Sequence, residues 1–191
     1  MRLPPGRTLA RAALIGAATG SRSVTGLAAL ALTAPASAAS QPDRTLRISW
    51  VKALVTSGAL GELGADKLPG TPDRLAPRGL AGRVLIAALT GQTVARRQWP
   101  PRPGDPGPAD PDPAPPAHPA GAVMPDPAPA VTETAGTAAA ATAVAVGTSL
   151  AAAWLGSRWR RVATRHFGRD WPGAILEDAA ALSLAWAAVR S

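Results

Sequence analysis

The longest uncharged run in this chain covers 24 residues, from Thr134 to Ser157. A helix needs about 20 consecutive, mainly apolar residues to cross the hydrocarbon core of a bilayer, so the run predicts a membrane-spanning helix. Alanine is its commonest residue, with 10 of the 24 positions, and contributes less to insertion than leucine. Close packing against other helices through small residues would compensate for that weakness. The run therefore predicts one member of a bundle of membrane helices.

The basic charge of the chain does not indicate a nucleic-acid-binding protein. The formal net charge is +8, but the arginines are scattered between apolar segments, without a basic face interleaved with aromatic residues. A lipid bilayer with anionic headgroups is the predicted partner instead. The chain has no cysteine, which excludes disulfides, thiolate chemistry and cysteine-based metal sites.

The N-terminal segment allows two interpretations. Basic residues precede an apolar stretch that ends in Ala36-Ser37-Ala38, a sequence that imitates a signal-peptidase site and would make this a secreted protein with a cleaved signal peptide. In the other interpretation a continuous helix begins near Leu9, contains the GxxxG pair Gly16 and Gly20, and continues across Arg22. We expect the second arrangement, with Arg22 on a strip of small side chains.

Two shorter apolar segments flank a charged stretch in the middle of the chain. Trp50 to Ala65 is short for a span, and Gly79 to Arg97 is its predicted partner helix. The prolines between the two segments predict a turn, so both outer ends return to one side whether the pair crosses the bilayer or only dips into it. Glu62 and Asp66, four residues apart, would share a helix face with small residues. A plain solvated loop is the alternative for these charges.

Several motifs resemble a family of small bacterial multipass membrane proteins known as a domain of unknown function, number four-one-two-six. The matching residues are Glu62-x-x-x-Asp66-Lys67-x-Pro69, Arg78 and Gly82, Gly20-Ser21-Arg22-Ser23 with Gly26-Leu27-Ala28-Ala29, and Glu177-Asp178. The resemblance touches most of residues 12–97 and 136–190. It implies a membrane protein and no particular activity. The chain departs from the pattern at Leu63-Gly64 and by a long Pro-rich insertion.

The composition divides the chain into three parts. Residues 1–98 hold the N-terminal membrane helices with the charged hairpin, and residues 99–133 form a predicted disordered Pro-rich linker. Residues 134–191 hold the C-terminal helices. Between these helices, residues 158–169 carry five arginines among tryptophans and predict a cytoplasmic loop. Counting Arg and Lys with the N-terminus on the side of that loop predicts a cytoplasmic N-terminus.

The predicted fold is an all-α integral membrane bundle of four or five membrane segments, located in the cell membrane. Ionisable residues on membrane helices are costly and should face the bundle interior or water. The candidate intramembrane charge cluster consists of Arg22, Glu62, Asp66, Lys67, Arg78, Glu177 and Asp178. We find no catalytic motif, and we expect no enzyme activity, cofactor or metal.

Two functional classes follow from the predicted bundle. The first is a small transporter-like or channel-like protein for a small solute or ion. The second is a non-catalytic membrane scaffold, in which the charges only hold helices together. The sequence indicates neither a protein partner nor an oligomeric state.

Overall fold

The computed structural model describes residues 5–38, 41–65, 76–97, 99, 128–167 and 171–190. Within these ranges all regular secondary structure is helical, which confirms the all-α class. The helices are α1 Pro5–Ser21, α2 Thr25–Leu32, α3 Asp43–Leu46, α4 Ser49–Ala65, α5 Pro77–Arg96, α6 Ala128–Phe167 and α7 Trp171–Arg190.

The predicted continuous helix across Arg22 is wrong. α1 ends at Ser21, and the chain turns through residues 22–24 into the eight-residue helix α2. α2 folds back against α1, because a Cβ placed on Gly26 would overlap the Thr19 hydroxyl and lie 2.9 Å from the Ile15 carbonyl oxygen. A residue without a side chain at position 26 lets the two helices form a tight antiparallel hairpin.

α1 is the central helix of the bundle and contacts α2, α5, α6 and α7. Gly16 and Gly20 face α6 so closely that a Cβ on either would overlap backbone atoms of Ala145 or Ser149. The predicted GxxxG pair is therefore a helix-packing motif. α5 also approaches α6 closely, since a Cβ on Gly91 of α5 would lie 2.8 Å from the Cα of Thr142.

These contacts fix the direction of each helix. α6 runs parallel to α1, α5 and α7 run antiparallel to it, and α2 returns from the turn at residues 22–24. We name the end of the bundle at this turn the turn end, and the other end, where Arg11 contacts Trp99, the Trp99 end.

The α1–α2 hairpin changes the count of Arg and Lys from which the orientation of the N-terminus was predicted. The N-terminal part of α1 lies at the Trp99 end, whereas the basic segment after Ser157 lies at the turn end. Among the described residues, the Trp99 end carries Arg7, Arg11, Arg44, Arg47, Lys52, Arg96, Arg97 and Arg190, and the turn end carries Arg22, Arg78, Arg83, Arg158, Arg160, Arg161 and Arg165. With the arginines and lysines so evenly divided, the count no longer favours a cytoplasmic N-terminus.

Helix α6 confirms that the uncharged run from Thr134 to Ser157 is helical and extends this helix at both ends. Among the described residues, one stretch is long and apolar enough to cross a membrane by length and composition, Ala135–His166 in α6. α6 begins at Ala128, inside the predicted linker, and continues to Phe167, so the expected loop after Ser157 is helical as far as Phe167. Trp99, the first residue of the predicted linker, is buried, and residues 100–127 lie outside the described residues.

Beside an apolar core that includes Ile15 and Leu30, this bundle buries charged side chains and exposes large apolar ones. Arginines 11, 22, 83 and 97 are all buried, together with several Thr and Ser residues. Large apolar side chains lie outside instead, with Leu85 70% exposed and Trp50 67% exposed. In soluble proteins arginine is almost never fully buried unless it is paired, and large exposed apolar patches mark an interaction surface. The outer surface is therefore suited to an apolar environment.

The variant Gly20→Ala tests the close contact between α1 and α6. The new methyl group has no room against the backbone of α6, and overpacking of this kind costs about 1–3 kcal/mol. We expect a lower midpoint of thermal unfolding in detergent. Gly61→Ala is the matched control, since a Cβ there meets nothing within 4 Å and alanine favours a helix by up to about 1 kcal/mol. Equal midpoints for the two variants would contradict the close approach of α1 and α6.

Candidate functional site: a charge cluster at the turn end

Four of the predicted cluster residues meet at the turn end. Arg22, at the end of α1, is fully buried and forms an ion pair with Asp178 of α7. The Asp178 side chain keeps 14% of its surface exposed. A guanidinium group this deeply buried requires a carboxylate nearby, because isolated buried charge costs several kcal/mol. This ion pair joins the central helix to the C-terminal helix.

Glu62 occupies the N-terminal end of α2. The N–H of Ser23 donates a 2.8 Å hydrogen bond to Glu62 Oε1, and the N–H of Val24 donates to Oε2 at 3.1 Å. Both N–H groups precede the first turn of α2 and have no intrahelical partner. A carboxylate here also interacts favourably with the positive end of the helix dipole. Glu62 belongs to α4, so it caps a helix that is distant from it in the sequence.

Glu177 pairs with a residue that the sequence interpretation had placed in a loop. Arg160 Nε of α6 donates to Glu177 Oε2 at 3.0 Å, and Glu177 is 7% exposed. The carboxylate lies over Gly156, where a Cβ would be 2.9 Å from Glu177 Oε1. A glycine at this position of α6 leaves room for the acid.

Arg83 completes the turn-end cluster, which we define as Arg22, Glu62, Arg83, Arg160, Glu177 and Asp178. It is buried on α5, attracted electrostatically by Glu62 and Glu177 and repelled by Arg22. The cluster thus contains three basic and three acidic side chains, drawn from α4, α5, α6, α7 and the hairpin turn. Its formal charge is balanced.

Arg97 forms a second interior network at the Trp99 end. Its Nε donates to Asp43 Oδ2 at 3.0 Å, and a second bond links its Nη2 to Oδ1 of the same carboxylate. Nη2 also donates to the Leu30 carbonyl at 2.7 Å, and Nη1 donates to the Thr33 hydroxyl at 3.0 Å. Arg97 therefore binds a carbonyl in the last turn of α2, where the helix dipole favours a cation.

Trp99 packs against the arginines of this second network. The guanidinium of Arg11 lies 3.8 Å from the centre of the Trp99 ring, and that of Arg97 lies 5.2 Å from it. The indole N–H donates to the Val94 carbonyl at 3.3 Å, which fixes the ring. We define the Trp99-end cluster as Arg11, Asp43, Arg97 and Trp99. Cation–π contacts of this kind strengthen when water is excluded.

Not every predicted residue joins the turn-end cluster. Arg78 is exposed in the first turn of α5. Asp66 and Lys67 lie outside the described residues.

Two residues of the turn-end cluster, Arg83 and Arg160, were not predicted, although each has a signal in the sequence. Arg83 precedes Ala87, Thr90 and Gly91 on one helical face, and Arg160 shares a face with Gly156 and Ala163. Both faces are strips of small side chains, like those that singled out Glu62 and Glu177.

The chemistry available at the two clusters is electrostatic. Among the described residues, no group of three or more His, Cys, Asp or Glu side chains is placed to hold a metal ion. Between the clusters the interior contains the buried hydroxyls of Thr19, Thr90, Thr93 and Ser149. Thr90 and Thr93 bond to carbonyls of their own helix, at 2.9 Å and 2.7 Å. The arrangement can hold charges and small polar groups inside a bundle.

No protein-family model, curated protein or solved structure matches this chain. The resemblance drawn from the motifs at Glu62, Arg22 and Glu177 stays a hypothesis. The functional argument rests on the geometry of the two clusters.

Asp178→Asn tests the turn-end cluster. It leaves the buried guanidinium of Arg22 without its ion-pair partner, and loss of one member of a buried pair costs about 3–5 kcal/mol. Because Asp178 is partly exposed, we expect the lower end of this range. Thermal unfolding in detergent measures the loss, and Arg78→Gln, at an exposed position, is the control that should leave the midpoint unchanged. If both variants unfold at the wild-type temperature, the ion pair contributes nothing.

Proposed function

We propose that this protein is a multipass α-helical membrane protein with four or five membrane segments, located in a cell membrane. The support is that four arginines, Arg11, Arg22, Arg83 and Arg97, are buried, whereas leucines and tryptophans are exposed on α4, α5, α6 and α7. In a bilayer, charges belong in the bundle interior and apolar side chains face lipid. α5 and α7 each contain 20 residues, enough to cross about 30 Å of hydrocarbon.

We further propose a transporter-like or channel-like function for a small solute or ion. The observation that carries this proposal is that two charge clusters close the bundle at opposite ends, with buried hydroxyls between them. α2, which folds back against α1 as a hairpin, also binds a charged side chain at each of its ends, and transporters use helix ends inside the membrane to bind charged groups. If the ion pairs of the two clusters broke alternately, the buried hydroxyls between them would become accessible from one side of the membrane at a time.

A membrane scaffold is the second candidate. It is favoured by the bonds of the buried Arg97 side chain to Asp43, Leu30 and Thr33, which hold three segments of the bundle together. In a scaffold both clusters would stay closed permanently. The two candidates therefore differ in whether the space between the clusters becomes accessible.

The membrane location has its own test. We expect the protein to remain in the membrane pellet after alkaline carbonate extraction, because its apolar surface is covered by lipid. Its intact mass should include the N-terminal residues, since α1 is the centre of the bundle. A soluble chain that begins near Ala39 would instead support secretion with cleavage after Ala38.

Ser149→Cys tests the transport proposal without knowledge of the solute. Ser149 is fully buried between the clusters, and the chain has no native cysteine. In proteoliposomes we expect slow labelling by a small methanethiosulfonate reagent. Adding Glu62→Gln removes a charged cap of α2 and should speed labelling about tenfold, the factor that corresponds to about 1.4 kcal/mol.

The controls separate opening from unfolding. Arg78→Gln, combined with Ser149→Cys, should label at the unmodified rate, because Arg78 is exposed. Asp43→Asn should speed labelling from the Trp99 end. A scaffold would show the opposite pattern, with lower unfolding temperatures for Glu62→Gln and Asp43→Asn but no change in the labelling rate of folded protein.

A further inference from the structure

The last turns of α6 carry a basic strip on their outer surface. Arg158, Arg161 and Arg165 are all exposed and follow one another at spacings of three and four residues. This spacing places them on one face of the helix, above Trp154, which is 49% exposed. The Arg158 guanidinium lies 5.1 Å from the centre of the Trp154 ring. We name Trp154, Arg158, Arg161 and Arg165 the α6 basic strip.

An apolar strip runs beside it. Leu155, Trp159 and Val162 are 58%, 42% and 46% exposed. Ala163 lies on the face of α6 opposite the basic strip and packs against Gly173 of α7, which also lies near the indole nitrogen of Trp159. The apolar strip therefore borders α7, whereas the basic strip lies on the outer surface, and together they give this end of α6 an amphipathic outer surface.

The position of the strip along α6 follows from helix length. α6 has 40 residues, about twice what the hydrocarbon core accommodates. The uncharged residues up to Ser157 fill the core, so the next residue, Arg158, falls in the headgroup layer. Arg and Trp side chains are favoured in this layer, where an indole ring meets both acyl chains and water.

We propose that the α6 basic strip is a binding site for the headgroups of anionic phospholipids. Three guanidinium groups on one face supply positive charge and fork-shaped donors that match phosphate oxygens. The adjacent apolar strip contacts the acyl chains of the same lipids. This second property favours lipid over nucleic acid, since a nucleic-acid surface would have no use for exposed Leu155 and Val162. The inference rests on the proposed membrane location, which carbonate extraction tests separately.

The test compares lipids in detergent. Purified full-length protein is titrated with phosphatidylglycerol or, separately, phosphatidylcholine, and thermal unfolding and native mass spectrometry are followed. We expect phosphatidylglycerol to raise the unfolding midpoint and to give retained lipid adducts, and phosphatidylcholine to do neither. The triple variant Arg158→Gln, Arg161→Gln, Arg165→Gln should lose the adducts and at least half of the shift.

The matched control is a second triple variant at the other end of the bundle, Arg44→Gln, Arg47→Gln, Arg96→Gln. All six residues are exposed, so both variants should unfold at the wild-type temperature when no lipid is added. The control should keep its response to phosphatidylglycerol. The proposal is overturned if wild type responds equally to both lipids, or if the two triple variants lose the response equally. Binding of a labelled oligonucleotide that depends on the strip, without preference for phosphatidylglycerol, would also overturn it.

Discussion

The binding of helix α2 at both of its ends is the interaction on which the rest of the bundle depends. An isolated helix of eight residues is not stable, because nucleation costs more than so few hydrogen bonds return. Here the carboxylate of Glu62 binds the N-terminal N–H groups, and the guanidinium of Arg97 binds a C-terminal carbonyl. Each charge lies at the dipole end that it stabilises, by about 0.3–1 kcal/mol when exposed and up to about 2 kcal/mol when partly buried. The same two side chains attach α4 and α5 to α2, so the hairpin organises its neighbours.

Small residues allow this charged interior to exist. Glycine at positions 16, 20 and 91 brings the α6 backbone against α1 and α5, and Gly156 leaves space for the carboxylate of Glu177. In a bilayer, apolar side chains gain little by leaving lipid to contact one another, because lipid tails are equally apolar. Close van der Waals contact and polar bonds must therefore hold helices together. The alanine content that weakens α6 as an isolated span is what permits this contact. Large side chains are then left for the outer surface, where Leu85 and Trp50 lie.

The sequence predicts the local elements of this fold but not the hairpin. The uncharged run to Ser157 and the apolar segment before Ala65 are both helices, as expected. The break after Arg22 has no local signal, because residues 23–25 contain neither proline nor glycine. Its cause is the carboxylate of Glu62, 39 residues away from Ser23, which binds N–H groups that a continuous helix would use internally. Arg83 and Arg160 are absent from the predicted cluster for a related reason. From sequence alone, a charged residue is taken to end an apolar segment. In the structure, a partner of opposite charge on another helix lets the charged side chain lie inside the bundle.

The two clusters differ in how firmly each holds its end of the bundle. Arg97 ties Asp43, Leu30 and Thr33 together at a fully enclosed position. Glu62, by contrast, is only half-buried and belongs to α4, a peripheral helix that packs mainly on α2. Regions with few buried contacts open at lower free energy than the core. Opening of the bundle would therefore begin with α4 and the N-terminal end of α2, and the Arg97 network would open only at a higher free energy.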